Sequence, residues 1–465
     1  MQDFLSLSAT QQAQLIRERQ ISSVELVQAH LDQIFRLQPL INATVAVFAD
    51  RALTQARDSD AMKADQRGPL HGVPFSIKDS IELAGAPCTA GTWGRRSAPP
   101  CTEDATLVAR MRDAGAIPIA KTNLPDLLFA FESDNLLFGA TNNPYDFAQT
   151  SGGSSGGEAA LIAAAGSPCG LGSDAAGSVR VPAAFCGISS IKPTSGRLSR
   201  TGHFPPSGGW LESVWQIGPM ARRVEDLCLM MGLLAGGDKR DFTVVDMPFA
   251  DPRRVSLSEL RIAFYTDNGF ATVHPEVADV VRSAAQSLSG CVRLVDEARP
   301  SCLADAYDLE MKLIGPDGGD ALRVALKDLG SERIHPLLTG WLDKLEPYRT
   351  TLEGFAGYWA ELDRYRAGMV QFLNHYDAIV CPAYTQPALP HGASIQDENF
   401  RGFTYTMAYN VAGWPAAIVR CGGSADGLPI AVQVAAGPFR EDIALAVALR
   451  LEELFGGWKV PACAG

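Results

Sequence analysis

With 465 residues, 46% of them hydrophobic and 20% charged, the chain has the composition of a globular protein with ample material for a large core. Its formal net charge of −12 excludes a surface built for nucleic acid or anionic membranes, because both need cationic groups to displace counterions. No stretch nears the roughly 18 consecutive apolar residues of a spanning helix, so no membrane span is expected.

The opening MQDFLSLSATQQAQ has no basic segment followed by an apolar one, so no signal peptide is expected. Ser22 and Glu25 make a capping box, and Val27, Leu31 and Ile34 then recur at helical spacing; Pro39 is expected to end that helix. From about residue 70 short apolar runs alternate with helical patterns: a strand at 73–77, a helix at 105–114 closed by Gly115, and a strand at 117–120. The order strand, helix, strand returns at 262–265, 275–288 and 292–295. Residues 301–376 read as mostly helical, with a long amphipathic pattern at 355–372. Strands at 378–381 and 430–434 and a helix at 442–454 close the chain. This alternation predicts an α/β fold, a large mixed sheet flanked by helices on both faces. We expect one domain over 1–465, with its core at about 60–240 and 375–465 and a helical insertion at about 301–376 shaping the substrate cleft. The ten cysteines stand singly with no CxxC pair, the pattern of reduced cytoplasmic thiols rather than a disulfide framework or a metal site.

The segment TSGGSSGGEAALIAAAGSPCGLGSDAAGSVRVPAAFCG carries the strongest signal. Residues 152–157 are too glycine-rich for regular structure, since each glycine costs about 1 kcal/mol in a helix relative to alanine. A helix is expected at 158–165, stopped by Gly166 and Pro168, then an extended return at 169–173 and a second loop of small residues at 175–178. A helix of about ten residues advances roughly 15 Å, and about five extended residues cover roughly 16 Å. The two loops therefore lie side by side, bringing Ser154 or Ser155 near Ser178 amid bare backbone N–H groups suited to an anionic transition state. A short Gly/Ser cluster taken alone is more commonly a structural turn. A phosphate loop is disfavoured because no Gly-Lys-Ser/Thr follows. The GxSxG match over 152–156 lacks the buried strand that a nucleophile elbow needs, because the preceding NPYDFAQT is polar and turn-like.

A serine hydroxyl needs a base. His30, His71, His203, His274, His335, His375 and His391 show no neighbouring aspartate that signals a triad. Lys78, Lys121 and Lys192 each end an apolar run, where desolvation favours the neutral amine, although a solvated lysine is the commoner reading for any one of them. Spacing does not choose among the three.

HGVPFSIKDS, IAKTNLPDLLFAFESDN, FGATNNPYD, the glycine–serine segment, IGPMARRVEDL, YDAIVCPAYTQPALP, YTMAYNVAGWPA and GLPIAVQVAA together resemble the amidase signature family over nearly the whole chain, most weakly at 240–370. Within that family the ESDN, GGSSGGEAAL and FCGI stretches are most similar to fatty acid amide hydrolases and related bacterial amidases. The resemblance implies a triad of nucleophile Ser178, bridging Ser154 on a cis peptide, and base Lys78, leaving Lys121 and Lys192 structural. It implies an oxyanion hole from the backbone N–H groups of Ala175, Ala176, Gly177 and Ser178, a loop held by Ser155, Ser173, Asp174 and Arg180, and no cofactor or metal. Many members carry two glycines before the nucleophile, whereas here the pair is Ala176-Gly177; a positive φ at 176 would strain alanine by about 1 kcal/mol.

Leu128, Phe129 and Phe131 are expected to line the acyl side of the cleft, suiting a neutral, hydrophobic or aromatic amide. The expected partner is a small-molecule substrate, with no nucleic acid, and the protein is expected to be a cytoplasmic monomer or homodimer. Esters and carbamates share the acyl chemistry. The rival functions are the glutaminase component of a tRNA-dependent amidotransferase and a non-catalytic binding protein on the same scaffold.

Overall fold

The alternating pattern resolves into one mixed sheet of eleven strands in a single-domain α/β fold. The computed structural model describes residues 3–206 and 210–465. From edge to edge the strands are Thr44–Val47, Ile117–Thr122, Pro74–Lys78, Cys169–Asp174, Gln216–Ala221, Ser189–Lys192, Ala416–Gly423, Pro429–Ala436, Ala378–Pro382, Arg261–Phe264 and Leu294–Glu297. Parallel pairing joins Pro74–Lys78 to both Ile117–Thr122 and Cys169–Asp174 near one edge. It also joins Arg261–Phe264 to its two neighbours near the other, and antiparallel pairs fill the middle.

Strand periodicity divides the side chains between two layers. Ala417 and Val419 enter a core shared with the helices Val224–Leu234, Pro275–Leu288 and Glu441–Phe455. Ala416 and Ile418 enter the opposite cores, packed by Gly156–Ala163, Ala306–Ile314 and Thr404–Val411. In Pro74–Lys78 the same alternation sends Phe75 and Ile77 to the first layer. Ser76 instead reaches Glu158 on Gly156–Ala163, and Lys78 follows it onto that second face.

Three expectations need correction. The Ser22-capped helix runs Ser23–Ile41 with Pro39 inside it. The proline sits in the last turn, so little helix remains beyond it, and Asn42, in the left-handed region at φ 46°, ends the helix instead. Residues 146–150 are not a turn. Asp146–Thr150 pairs with Asn142–Asn143 in a separate two-stranded ribbon whose first residues are exposed, so the buried strand of a nucleophile elbow is still missing.

The glycine-rich helix starts at Gly156, two residues earlier than expected, because tertiary approach overrides helix propensity here. A Cβ on Gly157 would lie 2.4 Å from the Asn123 backbone nitrogen and 2.7 Å from the Ala43 carbonyl. The Gly157 N–H donates to the Asn123 carbonyl at 3.1 Å. Gly157→Ala is therefore expected to destabilise the fold by about 1–3 kcal/mol through overpacking against rigid backbone. Denaturant unfolding checks this, and an unchanged midpoint would contradict the close approach.

Candidate active site

The two loops do meet. The Ser155 N–H donates to the Ser178 carbonyl at 3.0 Å, and the Ser173 N–H donates to Ser155 Oγ at 3.4 Å. The Gly153–Ser154 peptide is cis. Ser154, Ser173 and Ser178 line one cavity of about 180 Å³ beside Ala175 and Ala176. Behind this wall the fully buried Lys78 Nζ donates to Ser154 Oγ at 2.6 Å and to Ser173 Oγ at 3.1 Å.

All three lysines are buried, contrary to the solvated reading of each alone. Their surroundings separate them. Lys121 Nζ lies 3.4 Å from Asp79 Oδ1 and also donates to the Ile81 carbonyl, so it acts as half of a buried ion pair. Lys192 Nζ donates to the Pro193 carbonyl at 2.7 Å. Lys78 meets hydroxyls. Burial lowers Lys78 to about 7, against the pull of Asp174 and Glu158 in the opposite direction. Burial, aided by Arg180, also takes Lys192 to about 7, so contact geometry and not titration distinguishes the two.

The loop before Ser178 hangs on one buried ion pair. Arg180 Nε and Nη2 each lie 2.9 Å from a different oxygen of Asp174. Burial pushes the Asp174 carboxyl up, but the Arg180 charge and hydrogen bonds from Arg180 and Asn410 outweigh it and hold the group well below the usual range. Asp174 also accepts the Gly177 N–H at 2.8 Å and the Val179 N–H at 3.2 Å. This corrects the expected oxyanion set. The Gly177 N–H is committed to a carboxylate, while Ala175, Ala176 and Ser178 line the cavity. The left-handed position is Gly177 at φ 130°, not Ala176, so alanine at 176 carries no such strain. A Cβ on Gly177 would also strike Thr406 Oγ1, the hydroxyl that donates to the Ala176 carbonyl at 2.7 Å.

Leu128, Phe129 and Phe131 all line the cavity. Phe131 stacks on Phe403 with centroids 3.6 Å apart and leans on Trp341 at 5.8 Å. Ile314 and Trp341, from the helical region after residue 300, complete that wall, and Trp215 and His203 face them.

Four contributors were not identified from sequence. Thr406 and Asn410 brace the nucleophile loop from a helix remote in the chain. Glu158 lies beneath Lys78, raised to about 7 by burial, and accepts hydrogen bonds from Ser76 and from Thr122 at 2.7 Å. His203 contacts Ser173 through Nε2 at 3.0 Å. Only Glu158 left a trace in the sequence, a lone acid opening an otherwise apolar helix.

A family model described as Amidase matches residues 25–445. Fatty-acid amide hydrolase 2-A of Danio rerio is 32% identical over 489 residues, covering 98% of this chain and 90% of its own. The amidase-like component of glutamyl-tRNA(Gln) amidotransferase from Thermosynechococcus vestitus is 32% identical over 476 residues, covering 95% and 96%. Among solved structures, 6-aminohexanoate cyclic dimer hydrolase superposes with a TM-score of 0.87 at 28% identity, covering 99% of each chain.

Removing the Arg180 guanidinium leaves Asp174 charged and unpaired in the core. Arg180→Met is expected to destabilise the protein by about 3–5 kcal/mol. Comparing unfolding midpoints with Arg180→Lys tests whether the bidentate geometry, rather than charge alone, holds the loop.

Proposed function

The chain belongs to the amidase family of amide-hydrolysing serine enzymes, and from that premise we propose that it cleaves neutral, hydrophobic or aromatic amides through an acyl-enzyme on Ser178. The single observation that carries this reading is the 2.6 Å contact from Lys78 Nζ to Ser154 Oγ, behind a cavity that Ser154 and Ser178 both line. Neutral Lys78 takes a proton from Ser154 as Ser154 takes one from Ser178, whose Oγ attacks the substrate carbonyl. The oxyanion is held by the N–H groups of Ala175, Ala176 and Ser178, each worth about 3 kcal/mol of barrier. The relay returns a proton to the leaving amine, and water then releases the acyl group.

The acyl side is set by Leu128, Phe129, Phe131, Ile314 and Trp341, none of them charged. Asp174, the one carboxylate on the lining, is spoken for by Arg180. Glutamine would bring an α-ammonium and an α-carboxylate that this wall does not match, which favours a free-standing amidase over a glutaminase component. The helices at 301–376 thereby shape the cleft, through Ile314 and Trp341. A cavity of about 150 Å³ accepts benzene, so the 180 Å³ here suits one ring or a short branched chain rather than a long fatty acyl chain.

The test is a panel of amides, esters and carbamates run on the purified chain and its variants, with fluorophosphonate labelling. Ser178→Ala is expected to lose both turnover and labelling, and Lys78→Ala to lose about 10²–10⁴-fold in kcat. Activity dependent on a partner protein and glutamine would instead support the amidotransferase role; a folded chain with neither labelling nor turnover would mean a binding protein. Because only the neutral amine is a base, kcat/KM is expected to rise with pH through about 7 and then level off. A flat profile with chemistry rate-limiting would contradict a lysine base. On the acyl side, benzoyl anilides are expected to exceed palmitoyl anilides in kcat/KM by about tenfold or more. Trp341→Ala is expected to narrow that gap, and a palmitoyl preference in the wild type would contradict the size argument.

A further inference from the structure

His203 lies in the loop after the strand Ser189–Lys192, buried, with its ring against Trp215 at a centroid separation of 4.7 Å. Its Nδ1 is 3.0 Å from the Pro205 carbonyl oxygen. A carbonyl only accepts, so Nδ1 carries the ring hydrogen and Nε2 presents its lone pair. Burial also lowers the imidazole to about 3, keeping it neutral. Two hydroxyls face that lone pair, Ser173 Oγ at 3.0 Å and Ser80 Oγ at 3.1 Å.

A hydroxyl has one proton to give. If Ser173 gives it to His203, then toward Lys78 Nζ, 3.1 Å away, Ser173 is only an acceptor. A neutral amine has two hydrogens and one lone pair. With an N–H turned to Ser173, the lone pair stays free to face Ser154 Oγ. If Ser173 donated to the amine instead, it would cap the lone pair that must receive the proton of Ser154. We propose that His203 is a positioning residue that fixes the polarity of the Lys78–Ser173 hydrogen bond and so aims the amine lone pair at Ser154. This rests on the relay proposed above.

The charged and titratable groups facing Lys78 are Asp174 from the strand Cys169–Asp174, Glu158 from the helix Gly156–Ala163, and His203 itself. The imidazole is faced in turn by Arg200 and Lys121. Asp174 and Glu158 are already occupied by Arg180, Asn410, Ser76 and Thr122. Ser173 is therefore the group whose hydrogen-bond direction is open to control.

The experiment measures kcat and KM against pH on an aryl acylamide for wild type, Lys78→Ala, His203→Leu, His203→Gln, Ser173→Ala and the double variant Ser173→Ala/His203→Leu, each checked for folding by thermal denaturation. His203→Leu is expected to lower kcat by about 10- to 100-fold. KM should stay within about threefold. The acid limb should move to lower pH, because a Ser173 hydroxyl donating to the lone pair stabilises the neutral amine. His203→Gln, which offers an acceptor oxygen, should recover most of the loss. Once Ser173 is alanine, His203→Leu should cost less than about twofold more. Equal losses with and without Ser173, an unmoved acid limb, or an effect confined to KM would overturn the proposal and assign His203 to shaping the cavity. Full activity in Lys78→Ala would reject the relay itself, whatever His203 does.

Discussion

A lysine amine sealed from water with no carboxylate in contact is the constraint on which this site depends. Lys78 is fully buried, and its partners are two hydroxyls. The nearby acids that could hold it as an ammonium are both engaged elsewhere. Asp174 is saturated by Arg180, Asn410 and two backbone N–H groups. Glu158 is bonded to Ser76 and Thr122 and is itself pushed toward its neutral form by burial. Lys121 is the control within the same molecule: equally buried, it has Asp79 at 3.4 Å and a carbonyl, the surroundings of an ammonium. Lys192 is the second control, since burial lowers it as far as Lys78 yet it faces a carbonyl away from the cavity. Desolvation makes an amine basic, and only placement against a hydroxyl makes it useful.

That placement depends on backbones approaching more closely than side chains allow. The sheet delivers Lys78 at the end of Pro74–Lys78, and the helix Gly156–Ala163 must lie directly over this strand and its neighbour for Ser154 to reach the amine. At Gly170, on the neighbouring strand Cys169–Asp174, a Cβ would overlap the Glu158 carboxylate, and at Gly157 it would enter the Asn123 backbone. The small residues of this segment are the packing condition of the site. They are also why a glycine-rich stretch with poor helix propensity forms a fully buried helix. Opposite them, the Asp174–Arg180 pair and Thr406 fasten the nucleophile loop to the helix Thr404–Val411, tying parts of the chain distant in sequence into one rigid wall.

Much of this was legible in the sequence, and the failures share a cause. The capping box at Ser22, the helix Pro275–Leu288 and the central strands follow from local pattern and appear where pattern puts them, within a residue or two. Folding the helix back onto its returning strand correctly predicted that the loops of Ser155 and Ser178 touch. Local pattern failed wherever a distant partner decided the outcome. No spacing rule tells that Lys121 has Asp79 beside it, that Asp174 removes the Gly177 N–H from the cavity, or that His203 packs against Ser173 across the sheet. The choice of Lys78 among three lysines needed the family resemblance for the same reason.

The apolar cavity and the neutral base answer to the same physics. Any water or charge admitted near Ser154 would stabilise the ammonium form of Lys78 and raise its affinity for protons. The wall of Leu128, Phe129, Phe131, Ile314 and Trp341 keeps that region dry. A dry wall also sets a desolvation cost of several kcal/mol on any charged acyl group that lacks a partner there. In the proposed relay, therefore, preference for a neutral substrate and deprotonation of the base are not separate adaptations. A mutation that opens the cavity to water or introduces a charge to recruit an ionic substrate would act on Lys78 as well, so substrate charge and catalytic pH range are coupled through one low-dielectric space.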